Sequence, residues 1–387
     1  VRSAIDVGFK KALSAIVDGN VTTLIAALVL GLKGSGTVKG FAQTLALGIV
    51  LSMFTALVIT RMILKALYAV GLKDEKFYGK AKDRKTVDFL AKKKIFFTIS
   101  LVMIIGGFVC MGVNKGTSGT ALNYSLDFVG GTSTNVTFNE DMDLAALDSQ
   151  VVPVIEKITK DANVQVQKVA GGNQVIFKTR TLDVEERQAL TEALVENFGV
   201  NSDLITAETI SSTISSEMRS DAIVAVVIAA ICMLLYIWFR FKDIRFATSS
   251  VAALIHDVLV VLAFYAVARV SVGSTFIACM LTIVGYSINA TIVIFDRIRE
   301  NLGAMTKKDD LEQLVNRSIS QTLSRSIFTS LTTFFMVAAL FVLGVSSIRE
   351  FALPLMVGIV CGTYSSVCIT GALWYVLRTK IGTKKNK

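Results

Sequence analysis

Four places in this chain set ionisable side chains inside long apolar runs or at their ends, where they could bind an ion or carry a proton. A charge in hydrocarbon costs on the order of 2.5–3.5 kcal/mol on insertion scales, so a group kept there needs a reason. Asp18, with Asn20 beside it, stands near the start of an apolar block at 12–32. It serves either as a helix-end or packing group or as a step on an ion path. His256 and Asp257 occupy the middle of the block 247–267, and His256 is the only histidine in the chain. A histidine titrates near neutral pH, yet a lone one is more often a hydrogen-bonded packing residue than a proton carrier. Asp257 is the better candidate of the two. Arg325 opens the block 326–344 within Thr322-Leu-Ser-Arg-Ser-Ile-Phe-Thr-Ser-Leu-Thr-Thr333. Its guanidinium either snorkels to an interface or meets a buried carboxylate, and the Ser/Thr run behind it implies a polar face turned inward. Asp296-Arg297 and Arg299-Glu300 follow the block 273–294 and mark its cytoplasmic end.

Other motifs carry less chemistry. Gly130-Gly131 follows Asp127-Phe128, and the plain reading is a tight turn, with a binding role as the alternative. Gly34-Ser-Gly-Thr-Val-Lys39-Gly40 is glycine-rich like a phosphate cradle, but it lacks the Walker spacing and joins two apolar blocks. No nucleotide-binding motif is present, so no ATP hydrolysis and no cofactor are expected. Cys110, Cys232, Cys279, Cys361 and Cys368 all fall within or beside apolar blocks, which implies small apolar packing rather than disulfides. Segment 114–218 contains neither His nor Cys, so no transition-metal site is expected there.

The elements that hold these residues follow from composition. Of 387 residues, 53% are hydrophobic and 18% charged, with mean hydropathy +0.61. The apolar residues form eight blocks long enough to cross a bilayer as helices: 12–32, 41–64, 95–113, 221–239, 247–267, 273–294, 326–344 and 351–376. With only two prolines, long uninterrupted helices are expected. A net charge of +10 could suggest nucleic acid, but the charges follow topology instead. Residues 65–94 hold ten Lys/Arg against four Asp/Glu, whereas 114–217 hold seven against fifteen, a balance of −8. Further basic groups flank the blocks at Arg240, Lys242 and Arg245, at Lys307 and Lys308, and at Lys384, Lys385 and Lys387. With these flanks cytoplasmic, eight spans alternate consistently, both ends lie inside, and the acidic segment faces outward.

An internal repeat organises the spans. Residues 20–60 laid on 330–370 at a constant offset of 310 match at twelve of 41 positions, among them Thr22/Thr332, Gly34/Gly344, Phe41/Phe351, Ala42/Ala352 and Thr60/Thr370. Both copies read helix, short turn, helix in the same direction, so the repeat is parallel. The second copy closes a set of six spans, while the first has only the corresponding last two. Four more spans, with any domain between them, are therefore expected upstream of Val1. Segment 114–218 reads as an α+β unit with strands at 132–138, 164–169, 174–179 and 204–209 and helices at 144–159 and 184–197. Ala170-Gly171-Gly172-Asn173 marks a hairpin, and the order βαββαβ predicts a ferredoxin-like split fold.

Several longer motifs then resemble one family. Val284-Gly-Tyr-Ser-Ile-Asn-Ala290-Thr-Ile-Val-Ile-Phe-Asp-Arg-Ile-Arg-Glu-Asn301 is similar to the SecF signature. So are Leu126-Asp127-Phe128-Val-Gly130-Gly131-Thr132, Ala253-Leu-Ile-His256-Asp257 and Gln321-Thr-Leu-Ser-Arg325. Residues 1–64, with Asp18-Gly-Asn20-Val-Thr-Thr23 and Gly-Phe-Ala42, resemble the last two spans of SecD. The resemblance to the SecD/SecF family covers nearly the whole chain. It implies an RND-type helical bundle in the bacterial plasma membrane and an accessory role in protein export. The implied partners are the SecYEG channel, SecA, YajC, exported preproteins and the rest of a SecD half. Proton or sodium flow would shift the bundle between two states, moving the outer domain. The family's relay uses an acidic residue at the position of Ala290, a basic partner at Arg325 and an Asp upstream of Val1. This chain keeps the arginine, and Asp257 is the carboxylate left to replace the missing one. The rivals are an RND exporter of small molecules or lipids and a non-coupled translocon scaffold.

Overall fold

The computed structural model describes residues 2–33, 36–74, 77, 86–161, 164–169, 172–306, 309–344 and 346–382. In chain order its elements begin with α1 (Arg2–Lys33), α2 (Gly36–Phe54), α3 (Thr60–Val70) and α4 (Lys93–Ser118). There follow β1 (Asn123–Tyr124), α5 (Leu126–Val129), β2 (Gly131–Thr137), α6 (Leu144–Ala146), α7 (Val152–Thr159), β3 (Gln165–Lys168), β4 (Gln174–Thr179), α8 (Val184–Phe198) and β5 (Ile205–Ile210). The chain continues with α9 (Ser212–Phe241), α10 (Ile244–Ala268), β6 (Ser271–Val272), α11 (Ser274–Gly303), α12 (Leu311–Leu343), α13 (Ser346–Tyr364) and α14 (Gly371–Gly382). It divides into two compact units, one of Val1–Leu122, Val224–Val270 and Thr275–Lys387, the other of Asn123–Ile223 with Ser271–Ser274.

The first unit is helical. Among the described residues seven helical stretches are long and apolar enough to cross a membrane: Lys39–Val70, Lys93–Thr117, Ser212–Phe241, Ile244–Ala268, Ser274–Gly303, Leu311–Leu343 and Ile348–Lys380. The eighth expected span falls in α1, where the apolar run Ile16–Leu32 is shorter. Leu51, Val102, Phe108, Phe335 and Met336 are among many large apolar side chains left exposed, which suits helices surrounded by hydrocarbon. Residues 75–76 and 78–85 of the basic stretch 65–94 lie outside the described residues, as do Lys307, Lys308 and the tail lysines. The tail itself starts later than expected, because α14 remains helical through Gly382.

The repeat is visible in the backbone. Helix α2 runs Gly36–Phe54 and α13 runs Ser346–Tyr364, so both bounds obey the offset of 310 seen in the sequence. Each is followed by a π-helical turn, Thr55–Ile59 in the first copy and Ser365–Thr370 in the second. The equivalent Phe41 and Phe351 rings touch edge to face, with centroids 5.5 Å apart. A residue that contacts its own counterpart lies beside the axis relating the two copies. The expected loop over 34–40 is shorter than read, because α2 is already helical at Gly36; Gly34 and Ser35 lie outside the described residues.

The second unit is a four-stranded antiparallel sheet in the order β3-β4-β2-β5, with β1 and β6 forming a separate parallel pair. The sheet's buried face carries Val136, Phe138, Val175 and Phe177, which pack with Leu147, Val151, Ile155, Leu190 and Leu194 from the helical segments. The unit begins at Asn123 rather than at 114, because the apolar run of α4 carries its helix to Ser118. The helix read over 144–159 is broken by a π turn at Leu147–Val151. Pro153 explains it: proline has no N–H to donate and crowds the carbonyl one turn back, so the helix widens just before it. Residues 170–171 of the expected hairpin lie outside the described residues.

Gly130 and Gly131 are the turn into β2, with φ of 79° and 121°. A Cβ on Gly131 would lie 2.3 Å from the Thr179 carbonyl oxygen, so both backbone conformation and space demand glycine. Asp127 is held close by: its Oδ2 accepts from the Ser274 backbone N–H at 3.1 Å and from the Ser274 hydroxyl. These four residues shape a junction at the turn into β2.

Candidate functional site

Helix α10 turns a regular stripe of small and apolar residues inward, Ser250, Ala253, Leu254, Val260 and Val261, and places Asp257 at its centre with no exposed surface. Close approach of the neighbouring helices brings partners to it. A Cβ on Gly358 would lie 2.3 Å from Ile283, and one on Gly362 would lie 3.2 Å from Ser287, so α11 and α13 pack nearly backbone to backbone.

Four donors converge on the Asp257 carboxylate. Oδ1 accepts from His256 Nδ1 at 2.9 Å and from Cys361 Sγ at 3.3 Å. Oδ2 accepts from Ser287 Oγ at 2.5 Å and from Ser365 Oγ at 2.8 Å. An ionised carboxylate offers about four lone-pair sites and no donor, so this set saturates the anionic form. Ser365 belongs to the π turn after α13, and it has a second acceptor in the Gly362 carbonyl at 3.2 Å. Its neighbour Ser366 meets Thr291 of α11 at 3.2 Å, extending the polar cluster. The remaining ring nitrogen of His256, Nε2, is buried without a hydrogen-bond partner. Among the described residues, His256, Asp257 and Cys361 also form the one group of His, Cys, Asp and Glu side chains close enough to share a metal, with ligand atoms within 4.8 Å.

Asp18 lies elsewhere. Its Oδ2 pairs with Arg240 Nε at 2.5 Å and its Oδ1 accepts from the Tyr236 hydroxyl at 2.7 Å, tying α1 to α9. Arg240 also stands 3.5 Å from Asp296 Oδ1 on α11, and Arg299 stands 3.4 Å from the same oxygen. Both contacts are ionic rather than hydrogen-bonded, since Asp296 Oδ1 accepts no hydrogen bond. Arg297 takes no part and pairs on the surface with Glu300 at 2.8 Å.

Arg325 meets none of these carboxylates. It lines a cavity of about 50 Å³ between α11 and α12 together with Tyr286, Asn289, Ala290, Ser326 and Thr329. Position 290 and Arg325, linked by resemblance, thus face the same space. The structure therefore separates the predicted residues into three groups, and neither Asp18 nor Asp257 approaches Arg325 as a partner. Sequence reasoning missed Ser287, Ser365, Tyr236 and Arg240, and read Cys361 as apolar packing although its thiol donates to Asp257. The one available signal was Ser365-Ser366, a polar pair interrupting an apolar block.

The relatives of this sequence agree on its kind. The family described as protein export membrane protein SecD/SecF, C-terminal, matches residues 190–380. The protein translocase subunit SecDF of Bacillus subtilis is 33% identical over 398 residues, 97% of this chain and 52% of that protein. The protein translocase subunit SecF of Sebaldella termitidis is 37% identical over 286 residues, 74% of this chain and 90% of that protein. The crystal structure of SecDF from Thermus thermophilus matches with a TM-score of 0.82 at 33% identity, over 98% of this chain and 50% of that one. The chain thus spans about half the length of the SecDF relatives it matches, and nearly all of SecF. It belongs to the SecD/SecF family of protein export membrane proteins.

Proposed function

We propose that this chain acts as an accessory subunit of the Sec protein translocase, promoting preprotein export across the bacterial plasma membrane under a proton or sodium gradient. The observation that carries the coupling is the saturated, wholly buried Asp257 carboxylate. Protonation there adds an O–H donor to an oxygen already facing donors, so at least one hydroxyl must turn away. Ser365 can do so, because Gly362 offers it another acceptor. Its place in a π turn makes the helix backbone the element that feels the change, and π turns recur at functional sites. A bound cation would act on the same hydroxyls. His256 would hand the proton on, Asp18 would fasten α1 to the bundle, and Arg325 would tune the local charge.

The unit Asn123–Ile223 is read as the extracytoplasmic, ferredoxin-like domain that meets the emerging preprotein, supported by its βαββαβ order and acidic balance. SecYEG, SecA and YajC are the partners on this reading, and both ends of the chain face the cytoplasm with the basic flanks. D257N in the complete gene tests it, with preprotein release measured in vesicles with and without an imposed ion gradient. The gradient should accelerate release by wild type and not by D257N. Equal stimulation of both would end the assignment.

A second reading, a translocon scaffold without coupling, is favoured by Ala290 beside Arg325, which has no carboxylate partner among the described residues. It requires wild type itself to ignore the gradient. An export defect confined to drugs or lipids after gene deletion would instead indicate an RND exporter.

A further inference from the structure

Three buried side chains from α10 and α13 meet on one side of the bundle's central carboxylate. His256 Nδ1 stands 2.9 Å from Asp257 Oδ1, Cys361 Sγ stands 3.3 Å from the same oxygen, and the nitrogen and sulfur are 4.0 Å apart. A point equidistant from the three atoms lies about 2.0 Å from each, where zinc–nitrogen and zinc–carboxylate bonds run about 2.0–2.2 Å and zinc–thiolate bonds about 2.3 Å. The far side of the carboxylate is already fixed. Oδ2 accepts from the Ser287 and Ser365 hydroxyls, which leaves Oδ1 turned toward the nitrogen and the sulfur. Outer hydrogen bonds of this kind orient the carboxylates that ligate metals. Cys361 is held equally firmly, between Gly358 packed on Ile283 and Gly362 packed on Ser287. All three ligand atoms thus sit on helices rather than loops, and packing sets their positions.

In the hydrogen-bonded state the ring nitrogen and the thiol each place a proton in the space between the three atoms. A metal ion takes the place of both. The Cys361 thiol proton leaves to solvent and the ring proton moves to Nε2, so the imidazole stays neutral and ligates through Nδ1. Thiolate and carboxylate then carry two negative charges, and a divalent cation cancels them. A set with no net charge is the one that a membrane bundle buries at least cost. The donors narrow the choice of ion. Thiolate and imidazole suit zinc and its softer relatives, whereas magnesium and calcium take shells of oxygen. We propose that His256 Nδ1, Asp257 Oδ1 and Cys361 Sγ bind a thiophilic divalent cation, zinc first among them. Three protein ligands leave the fourth tetrahedral position open, unlike the closed set of a structural zinc. The site shares Asp257 with the coupling proposed above, but the binding does not depend on that role.

The test uses the protein expressed from its complete gene, purified in detergent without an affinity tag and stripped of metal by a chelator, with cobalt(II) as the probe. Wild type should bind cobalt and show a thiolate-to-cobalt charge-transfer band in the near ultraviolet. Zinc should remove the band by competition, and magnesium should not. C361S should lose the band, and H256F should bind about tenfold more weakly or worse. C368S, whose thiol lies outside the triad, should match wild type. X-ray absorption of the zinc-loaded wild type should show one sulfur among the nearest neighbours of the metal. That measurement needs no variant, so it decides the matter even if C361S fails to fold. A band of full strength in C361S, or a zinc shell of nitrogen and oxygen alone, would overturn the proposal. No arm imposes an ion gradient or reads export, so a failure of this site and a failure of the coupling through Asp257 are seen separately.

Discussion

Arg240 is the cation that holds α1, α9 and α11 together, and its removal should be the costliest single polar change in the bundle. Its side chain is 18% exposed, that of Asp18 8% and that of Asp296 21%, so solvent screens the pair only weakly. Unit charges about 4 Å apart attract by roughly 4 kcal/mol at an effective dielectric near 20, and stripping one partner from a buried pair costs about 3–5 kcal/mol. R240Q takes the shared cation from both Asp18 and Asp296, so the upper half of that range, about 4–5 kcal/mol, applies. D18N leaves Arg240 with Asp296 at 3.5 Å, so the loss falls to about 2–3 kcal/mol. The double variant removes both the Asp18 and the Arg240 charge, leaves Asp296 with Arg299, and should lose about 4 kcal/mol in all, a coupling of about 2–4 kcal/mol. Unfolding in mixed micelles, followed by circular dichroism on all four proteins, reads these differences. A coupling below about 0.5 kcal/mol, or D18N costing more than R240Q, would refute the argument that Arg240 is shared.

Adjacent glycines on α4 give a controlled pair. A Cβ on Gly107 would lie 2.1 Å from the Ala263 Cβ, whereas Gly106 has nothing within 4 Å. G107A should therefore lower bundle stability by about 1–3 kcal/mol while G106A leaves it unchanged or raises it; equal melting temperatures for the two would count against this packing. G131A must hold alanine at a φ of 121° against the Thr179 carbonyl, and should expose the sheet unit to limited proteolysis; an unchanged cleavage pattern would contradict the turn geometry. The Glu186 carboxyl is held below its ordinary value, first by the Arg180 hydrogen bond and then by the Asp183 backbone N–H within the capping box of α8. A lowered folded value means the contribution is complete above the unfolded carboxylate value and is lost as pH falls through the folded one. Proteolytic resistance of that unit should thus decline on acidification below the usual carboxylate range, less steeply in E186Q; identical acid profiles would exclude the linkage.

Periodicity carried most of the fold. Apolar blocks found seven spans because hydrocarbon imposes one length and one composition, and alternation found the sheet strands because one face packs on helices. Proline counting misled. Both prolines lie inside helical segments, Pro153 behind a π turn and Pro354 within α13, where rarity suggested they would not matter. The site was legible only in part. His256 and Asp257 announced themselves as ionisable residues in an apolar run, but hydroxyl partners do not. Ser287 and Ser365 are ordinary membrane-helix residues until packing at Gly358 and Gly362 sets them against a carboxylate. The charge pattern implied partners for Asp18 without naming one, since Arg240 is 222 residues away and read as an interfacial flank.

The twin π turns bear on how that site arose. Thr60 and Thr370, identical in the repeat, each donate a hydroxyl to the carbonyl five residues back, Thr55 and Ser365, both at 3.0 Å. A widened turn leaves carbonyls poorly served, and a threonine at its end closes it, which is a physical reason for that identity. A π turn amounts to one residue inserted into an α-helix, yet the two copies align through it without a gap. The two turns thus occupy equivalent positions of the repeat. The copies then diverged in use. No residue of the first turn is buried, whereas Ser365, Ser366, Val367, Ile369 and Thr370 of the second are. Only the second turn carries hydroxyls to Asp257 and Thr291. A backbone irregularity found at the same place in both copies is joined in one of them to a buried carboxylate, and under the proposed coupling that junction is where a change of charge would be passed to a helix.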